Sequence, residues 1–229
     1  MAADDDVDAG AEALAARMLE RTEEFAAAVT ARINALVPAY AERVPPAELR
    51  RSVAEHFRVI FDGLLDPSLD PALDGNTPAD VAGRARAAEG VPMSAVYEGY
   101  QIALAYIWES LAEAAERDEV APRVALRAAS ALWRRLSAFT DVMSDSYRAE
   151  LASRIRSAEQ RRSALIQALL EGHLSEPQVW EAADALRLPH QGPYVVVAAR
   201  VAGAGKHGLT RGMEEGLQRQ SITSAWRRA

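Results

Sequence analysis

From Gly10 to about Leu36 apolar residues recur three, four or seven apart, at Leu14, Met18, Phe25, Val29, Ile33 and Leu36, among good helix formers. That spacing predicts one amphipathic helix, which Pro38 ends. Pro45-Pro46 opens a second, where Leu49, Val53, His56, Phe57, Ile60, Phe61, Leu64 and Leu65 form a broad apolar face. The stretch DPSLDPALDGN that follows reads as a loop. Thr77-Pro78-Ala79-Asp80 starts a third helix with an N-cap hydroxyl, Pro at the first helical position and an acid in the first turn, and Gly90 ends it. A fourth helix opens at Pro92 and Ser94. It is rich in aromatics and apolar on several faces, as the buried centre of a first domain should be.

After Pro122 the chain runs to about Glu171 without a Gly or Pro. One continuous helix of that length would span roughly 70 Å, more than a compact domain can bury, so part of it must leave the first domain. Leu132, Leu136, Phe139 and Met143 keep a 4-3-4 spacing. Ile155, Ala158, Arg162, Leu165 and Leu169 keep 3-4-3-4, and both runs suit coiled-coil seams. The phase slips between Met143 and Ile155, which fits a signalling helix, two helices, or one helix that packs first on its own domain and then on a partner. Leu132, Leu136, Phe139, Met143, Ile155, Leu165 and Leu169 are therefore the candidate dimerisation residues.

Beyond Gly172 the texture changes. Pro177 to Leu186 reads as a short helix, Tyr194 to Val201 as a β-rich run, Met213 to Gln220 as another short helix and Ile222 to Trp226 as a second strand. One or two strands do not make a stable sheet, so this part predicts the beginning of an α/β domain.

Composition narrows the function. The 229 residues are 49% hydrophobic and 26% charged, ordinary values that argue against wholesale disorder. With no Cys, a disulfide scaffold, a Cys zinc site, an iron–sulfur cluster and a thiol nucleophile are excluded. No apolar run approaches membrane-helix length, and the acidic start MAADDDVDAG is unlike a signal peptide, so a cytoplasmic protein without a membrane segment is expected. Residues 1–118 carry 10 Arg against 22 Asp plus Glu, net −12, and the remainder is net +5. The first half should repel nucleic acid, and the second lacks the dense basic stripe of a DNA-reading element.

Two stretches carry a resemblance. RAAEGVPMSAVYEGYQIALAYIWESLAE, through Gly90, Val91, Pro92, Tyr100 and Trp108, resembles an RsbRD-type amino-terminal domain as found in PucR/CdaR-type transcriptional regulators. RRSALIQALLEG and the later AADALRLPHQGPYVVVAARV are similar to the entry into the same regulators' GGDEF-like domain. The matching residues are Arg161, Arg162, Leu165, Leu169, Leu170 and Gly172, then Leu188, Pro189, Gly192, Pro193 and Tyr194, with Arg187 where Gly is usual. The resemblance implies a helical sensory module, a signalling helix, a GGDEF-like module cut short, and a helix-turn-helix lying beyond this chain.

No catalytic constellation stands out, and an enzyme is not expected. His56, His173, His190 and His207 are scattered without metal-ligand spacing. RsbRD-type domains resemble globins without haem, which raises His56 as an axial ligand; a core histidine bonded to a neighbour is the plainer reading. AGAGKHGLT lacks the order of a phosphate-binding loop, since Lys206 precedes His207 and Thr210 comes later. Tyr97, Tyr100, Gln101 and Trp108, with Tyr106, could line a small-molecule pocket, or simply fill a core. Arg134, Arg135, Arg154, Arg156, Arg161 and Arg162 could meet DNA phosphates, but Asp141, Asp145, Glu150 and Glu159 share the helix, as on a solvated, ion-paired face.

The expected fold is thus mainly α. A disordered acidic tail (1–9) precedes a helical bundle, globin-like without haem in one form (10–118), a long signalling helix (119–171) and an incomplete α/β GGDEF-like segment (172–229). The expected function is the sensory and dimerisation part of a bacterial transcriptional regulator. It forms a homodimer, takes a small-molecule effector or protein partner, needs no cofactor or metal, and reaches DNA only through the absent domain. The alternative is a stand-alone interaction module of a stress-response scaffold without a small-molecule ligand.

Overall fold

The computed structural model describes residues 2–65, 76–117, 119–198 and 206–227, and for residues 2–6, 8 and 206–211 the backbone alone. Nine helices lie in the described residues: α1 (Ala2–Glu20), α2 (Thr22–Leu36), α3 (Pro38–Arg43), α4 (Pro46–Leu65), α5 (Pro78–Ala88), α6 (Met93–Glu116), α7 (Pro122–Glu171), α8 (Glu176–Leu186) and α9 (Lys206–Arg219). They fall into two compact units, Met1–Ala152 and Ser153–Ala229.

In the first unit, α4 packs against α1, α2 and α5, and α2 also meets α6. The apolar positions spaced three and four apart supply the core: Phe25, Val29 and Ile33 from α2, Phe57, Ile60 and Phe61 from α4, and Leu132, Leu136, Phe139 and Met143 from α7. Phe57 and Phe61 stack with centroids 5.5 Å apart, and Phe25 meets both edge-on at 6.3 and 6.1 Å. The start of α5 is as its sequence signals: Pro78 follows Thr77, whose Oγ1 accepts from the Asp80 N–H at 3.2 Å. Gly90 closes that helix at φ +71°, a left-handed turn that glycine adopts freely.

Several helix boundaries differ from expectation: α3 is a helix that the pattern does not announce, α9 begins at Lys206 and not at Met213, and two differences fall near the amino terminus. The single helix expected from Gly10 divides at Arg21. Thr22 Oγ1 donates to the Leu19 carbonyl at 2.7 Å, a side-chain bond that competes with the helical ladder where no Gly or Pro marks a break. α1 also begins at Ala2, taking in the acidic stretch for which a disordered tail was expected. Acids at a helix N-terminus favour helix, because they face the positive end of its dipole. The loop expected over 66–76 lies outside the described residues except for Asn76.

The second unit contains the end of α7, α8 and α9. α8 starts with a capping box between Ser175 and Gln178, ends on Arg187 in the left-handed conformation, and buries Ala182, Ala183 and Leu186. The α/β expectation for 172–229 is overturned, since no strand occurs among the described residues. Tyr194 to Ala198 and Ile222 to Trp226 are without regular structure, Val195 being 84% exposed, and residues 199–201 lie outside the described ones. A β-rich sequence becomes a strand only when a neighbouring strand takes its N–H and C=O groups, and among the described residues neither run is paired with one.

Candidate functional site

The aromatic stripe of α6 does not converge on one pocket. Ser144 Oγ donates to the Thr140 carbonyl at 2.8 Å, so the Tyr97 hydroxyl, 2.5 Å away, donates to Ser144 and ties α6 to α7. Gln101 is exposed, and Trp108 is 56% exposed. Tyr106 meets Phe25 edge-on at 5.7 Å and lies under the Arg32 guanidinium at 4.8 Å. Of the four candidate ligand residues, Tyr100 lines a cavity among the helices of the first unit.

That cavity holds about 60 Å³ between α2, α3, α4, α5, α6 and α7. On one wall His56 approaches the Ser52 carbonyl through Nδ1 at 2.7 Å and the Tyr100 hydroxyl through Nε2 at 2.8 Å. A carbonyl can only accept, so Nδ1 carries the proton and Nε2 accepts from Tyr100; both ring nitrogens are committed within the protein. Burial lowers the His56 pKa to about 4 even though the Ser52 bond pulls the other way, and the ring is neutral at physiological pH. Burial likewise raises the Tyr100 hydroxyl far above the ordinary phenol range.

Three other contributors escaped the pattern reading. Arg86, only 3% exposed, reaches Glu48 at 3.1 Å and Glu89 at 2.7 Å, and its guanidinium lies 5.8 Å from the centre of the Tyr40 ring. Burial holds the Glu89 carboxyl above its ordinary range; Arg86 opposes this and Glu48 adds to it. Tyr40, carried inward on the short α3, is 5% exposed, and burial pushes its hydroxyl up to about 12. Gly99 lies beneath it, where an added Cβ would sit 3.4 Å from the Tyr40 ring and hydroxyl. A six-residue helix shows no periodicity, and a lone Arg or Gly inside a helix gives no signal of a site.

The candidate dimerisation residues divide into two groups. Leu132, Leu136, Phe139 and Met143 are buried in the core of the first unit, covered by the chain's own helices. Ile155 is 54% exposed, and Leu165 and Leu169 are half-buried in the second unit. His173 and His190 each lie beside one acid, Glu171 at 3.2 Å and Asp184 at 2.6 Å, on the surface. Among the described residues no group of three or more His, Asp or Glu is placed to hold a metal ion, and no helix is long and apolar enough to cross a membrane. The AGAGKHG segment lies outside the described residues up to Gly205, as do the side chains of Lys206 and Thr210.

Comparison with protein families gives a match over residues 23–162 to the RsbT co-antagonist protein rsbRD N-terminal domain. No curated protein and no solved structure matches the chain. The match upholds the resemblance read at Gly90, Val91, Pro92, Tyr100 and Trp108, and the PucR/CdaR assignment is overturned, since its second half required a GGDEF-like domain in a region that has no strand among the described residues. A domain of this type is non-catalytic.

Proposed function

The chain belongs to the RsbT co-antagonist protein rsbRD N-terminal domain family, and on that footing we propose that it is a protein-interaction module of a stress-response scaffold. Its partner is a protein of the kind the family description names, a counterpart of RsbT. The carrying observation is the family match over the helical bundle. The geometry agrees with it: the aromatic candidates scatter, and a 60 Å³ cavity is too small for a metabolite-sized effector.

The docking surface we assign includes Trp108 and Trp133, 56% and 60% exposed. The Tyr97–Ser144 hydrogen bond and that from Tyr147 to the Val91 carbonyl, just before α6, together run α6 and α7 antiparallel. Trp108 lies eleven residues after Tyr97, and Trp133 eleven before Ser144. Eleven residues make three helical turns to within about 20°, so the two indoles stand at one level of the helix pair. Exposed aromatic side chains of this size are the usual energetic anchors of protein interfaces.

Homodimerisation along the end of α7 belongs to the same reading. Ile155, Ala158, Arg162, Leu165 and Leu169 keep the heptad seam, with a β-branched residue at its first position, where parallel dimers favour one. Arg154 and Glu159 fall at flanking positions where opposite charges pair across such a dimer.

Calorimetric titration of the full chain with an RsbT counterpart tests the assignment. Trp108→Ala and Trp133→Ala should each weaken binding at least about tenfold without moving the thermal midpoint. Unchanged affinity in both variants, or a metabolite that raises the midpoint, would overturn it. In sedimentation, Ile155→Asp should shift the chain toward monomer.

A further inference from the structure

We propose that the docking face is a groove between α6 and α7 that takes one amphipathic helix of the partner protein, with its apolar side on Trp108 and Trp133, its basic flank along α6 and its acidic flank along α7. The inference rests on the docking assignment above and adds the shape and charge of what docks.

Helix geometry places the two indoles. Tyr97 faces α7, since its hydroxyl donates to Ser144 there, and Trp108 follows eleven residues later, within about 20° of the same direction around α6. Ser144 faces α6, and Trp133, eleven residues before it, repeats that direction around α7. Both rings therefore point at the space between the two helices, yet they stay 56% and 60% exposed. The helices do not close at that level, and they leave a groove with one indole on each wall. One turn to either side the walls carry small side chains, Ala105 and Ala112 on α6 and Ser130 and Ser137 on α7, all exposed. Walls of this size admit a helix between the indoles, the mode in which an amphipathic helix lays its apolar face into a groove.

The rims carry opposite charge. Glu98, Glu109 and Glu116 lie about a quarter turn around α6 from Trp108, on the side away from the buried Ile107 and Leu111, in a helix with no Lys or Arg. Glu109 meets Arg32 of α2 at 2.6 Å, which sets this rim on the flank away from α7. Arg123, Arg127 and Arg134 lie about a quarter turn around α7 from Trp133, away from the buried Leu132 and Leu136, and no acid occurs from Pro122 to Thr140. All six rim residues are exposed. A helix with one basic and one acidic flank meets an opposite charge at both rims, whereas a uniformly charged one is repelled at one of them.

A second copy of the chain fits the groove poorly. A two-fold axis along the helices lays acidic rim on basic rim, but it keeps every residue at its own level and crowds four indoles into one layer. The two-fold axis across the helices lays α6 on α6, acid against acid.

The test titrates the full chain with three stapled helical peptides of about fifteen residues that share one apolar face. One has Lys on one flank and Glu on the other, one has Lys on both, and one has Glu on both. At low salt the mixed peptide should bind about tenfold tighter than either uniform peptide, and Trp108→Ala or Trp133→Ala should weaken it by a similar factor. Arg123→Glu combined with Arg134→Glu makes the α7 rim acidic and should transfer the preference to the all-Lys peptide. Failure of the mixed peptide to bind, equal binding of all three, or a preference that the Arg substitutions leave unmoved overturns the proposal. So does a dimer in sedimentation that Trp108→Ala dissolves, because a second copy then fills the groove. An RsbT counterpart that binds the parent and the charge-reversed chain alike would keep the docking assignment and remove this inference. Peptides that discriminate as stated, beside a silent counterpart, would do the reverse.

Discussion

Gly83 of α5 lies directly against the backbone of Met143 in α7: a Cβ built at Gly83 would collide with the Met143 carbonyl oxygen and stand 3.1 Å from Ser146 Cβ. Two helices meet here at a separation that only a residue without a side chain allows. Around the crossing, Ser146 Oγ donates to Asp80 at 2.5 Å, and the Tyr147 hydroxyl donates to the Val91 carbonyl at 2.9 Å. The glycine thus lets α7 seat against the start of α6 and complete the core.

Gly83→Ala should therefore destabilise the first unit, although alanine is the better helix former. The obstacle is backbone on both sides and cannot swing away. Overpacking of this kind costs about 2 kcal/mol after the helix-propensity gain. Urea unfolding would show it as a lower midpoint with an unchanged slope.

His56 should make stability depend on pH. Its pKa is 6.5 unperturbed and about 4 in the fold. Between those values the unfolded chain binds more protons than the native one, so stability rises with pH. The contribution is complete above 6.5 and lost as pH falls through 4, about 3 kcal/mol in all. Denaturation midpoints followed across that window should fall steeply in the parent and less in His56→Gln.

Arg86→Met should be more damaging than a surface substitution, because it leaves the Glu48 and Glu89 carboxyls facing each other without their cation. Breaking a buried pair from one side costs about 3 kcal/mol. Adding Glu48→Gln to Arg86→Met should recover part of that loss in thermal unfolding, since one of the two unpaired acids is then neutral.

Arg187 should be improvable. It holds φ 57° and ψ 38° at the end of α8, a conformation that crowds a Cβ against the following carbonyl. Arg187→Gly should stabilise the second unit by about 0.5 kcal/mol, the strain relieved exceeding the flexibility added to the unfolded chain. Differential scanning calorimetry would register it as a small upward shift.

The helices were legible because their signals are local. The Thr77-Pro78 start, the Gly90 stop and the apolar faces of α2 and α4 depend on neighbours within a turn or two, which is the range over which spacing and capping act. Tyr100, with an aromatic body and polar tip, lines the cavity. Tyr97 and Trp108 shared that chemistry but went to a helix contact and to the surface.

Read alone, the chain specified most of the helical segments and their apolar faces, though not the break at Arg21 or the short α3. It left open what each face would meet. The seam Leu132, Leu136, Phe139 and Met143 has the spacing of a dimer interface and serves as internal core, because its own bundle offers a nearer apolar surface than a second chain does. The run at Tyr194 has strand composition and, over the described residues 194–198, forms no strand, because sheet pairing is a contact between distant segments and composition cannot provide the partner. Tyr40, Arg86 and Gly99 come from three helices far apart in sequence, and their meeting around one cavity follows from how those helices pack.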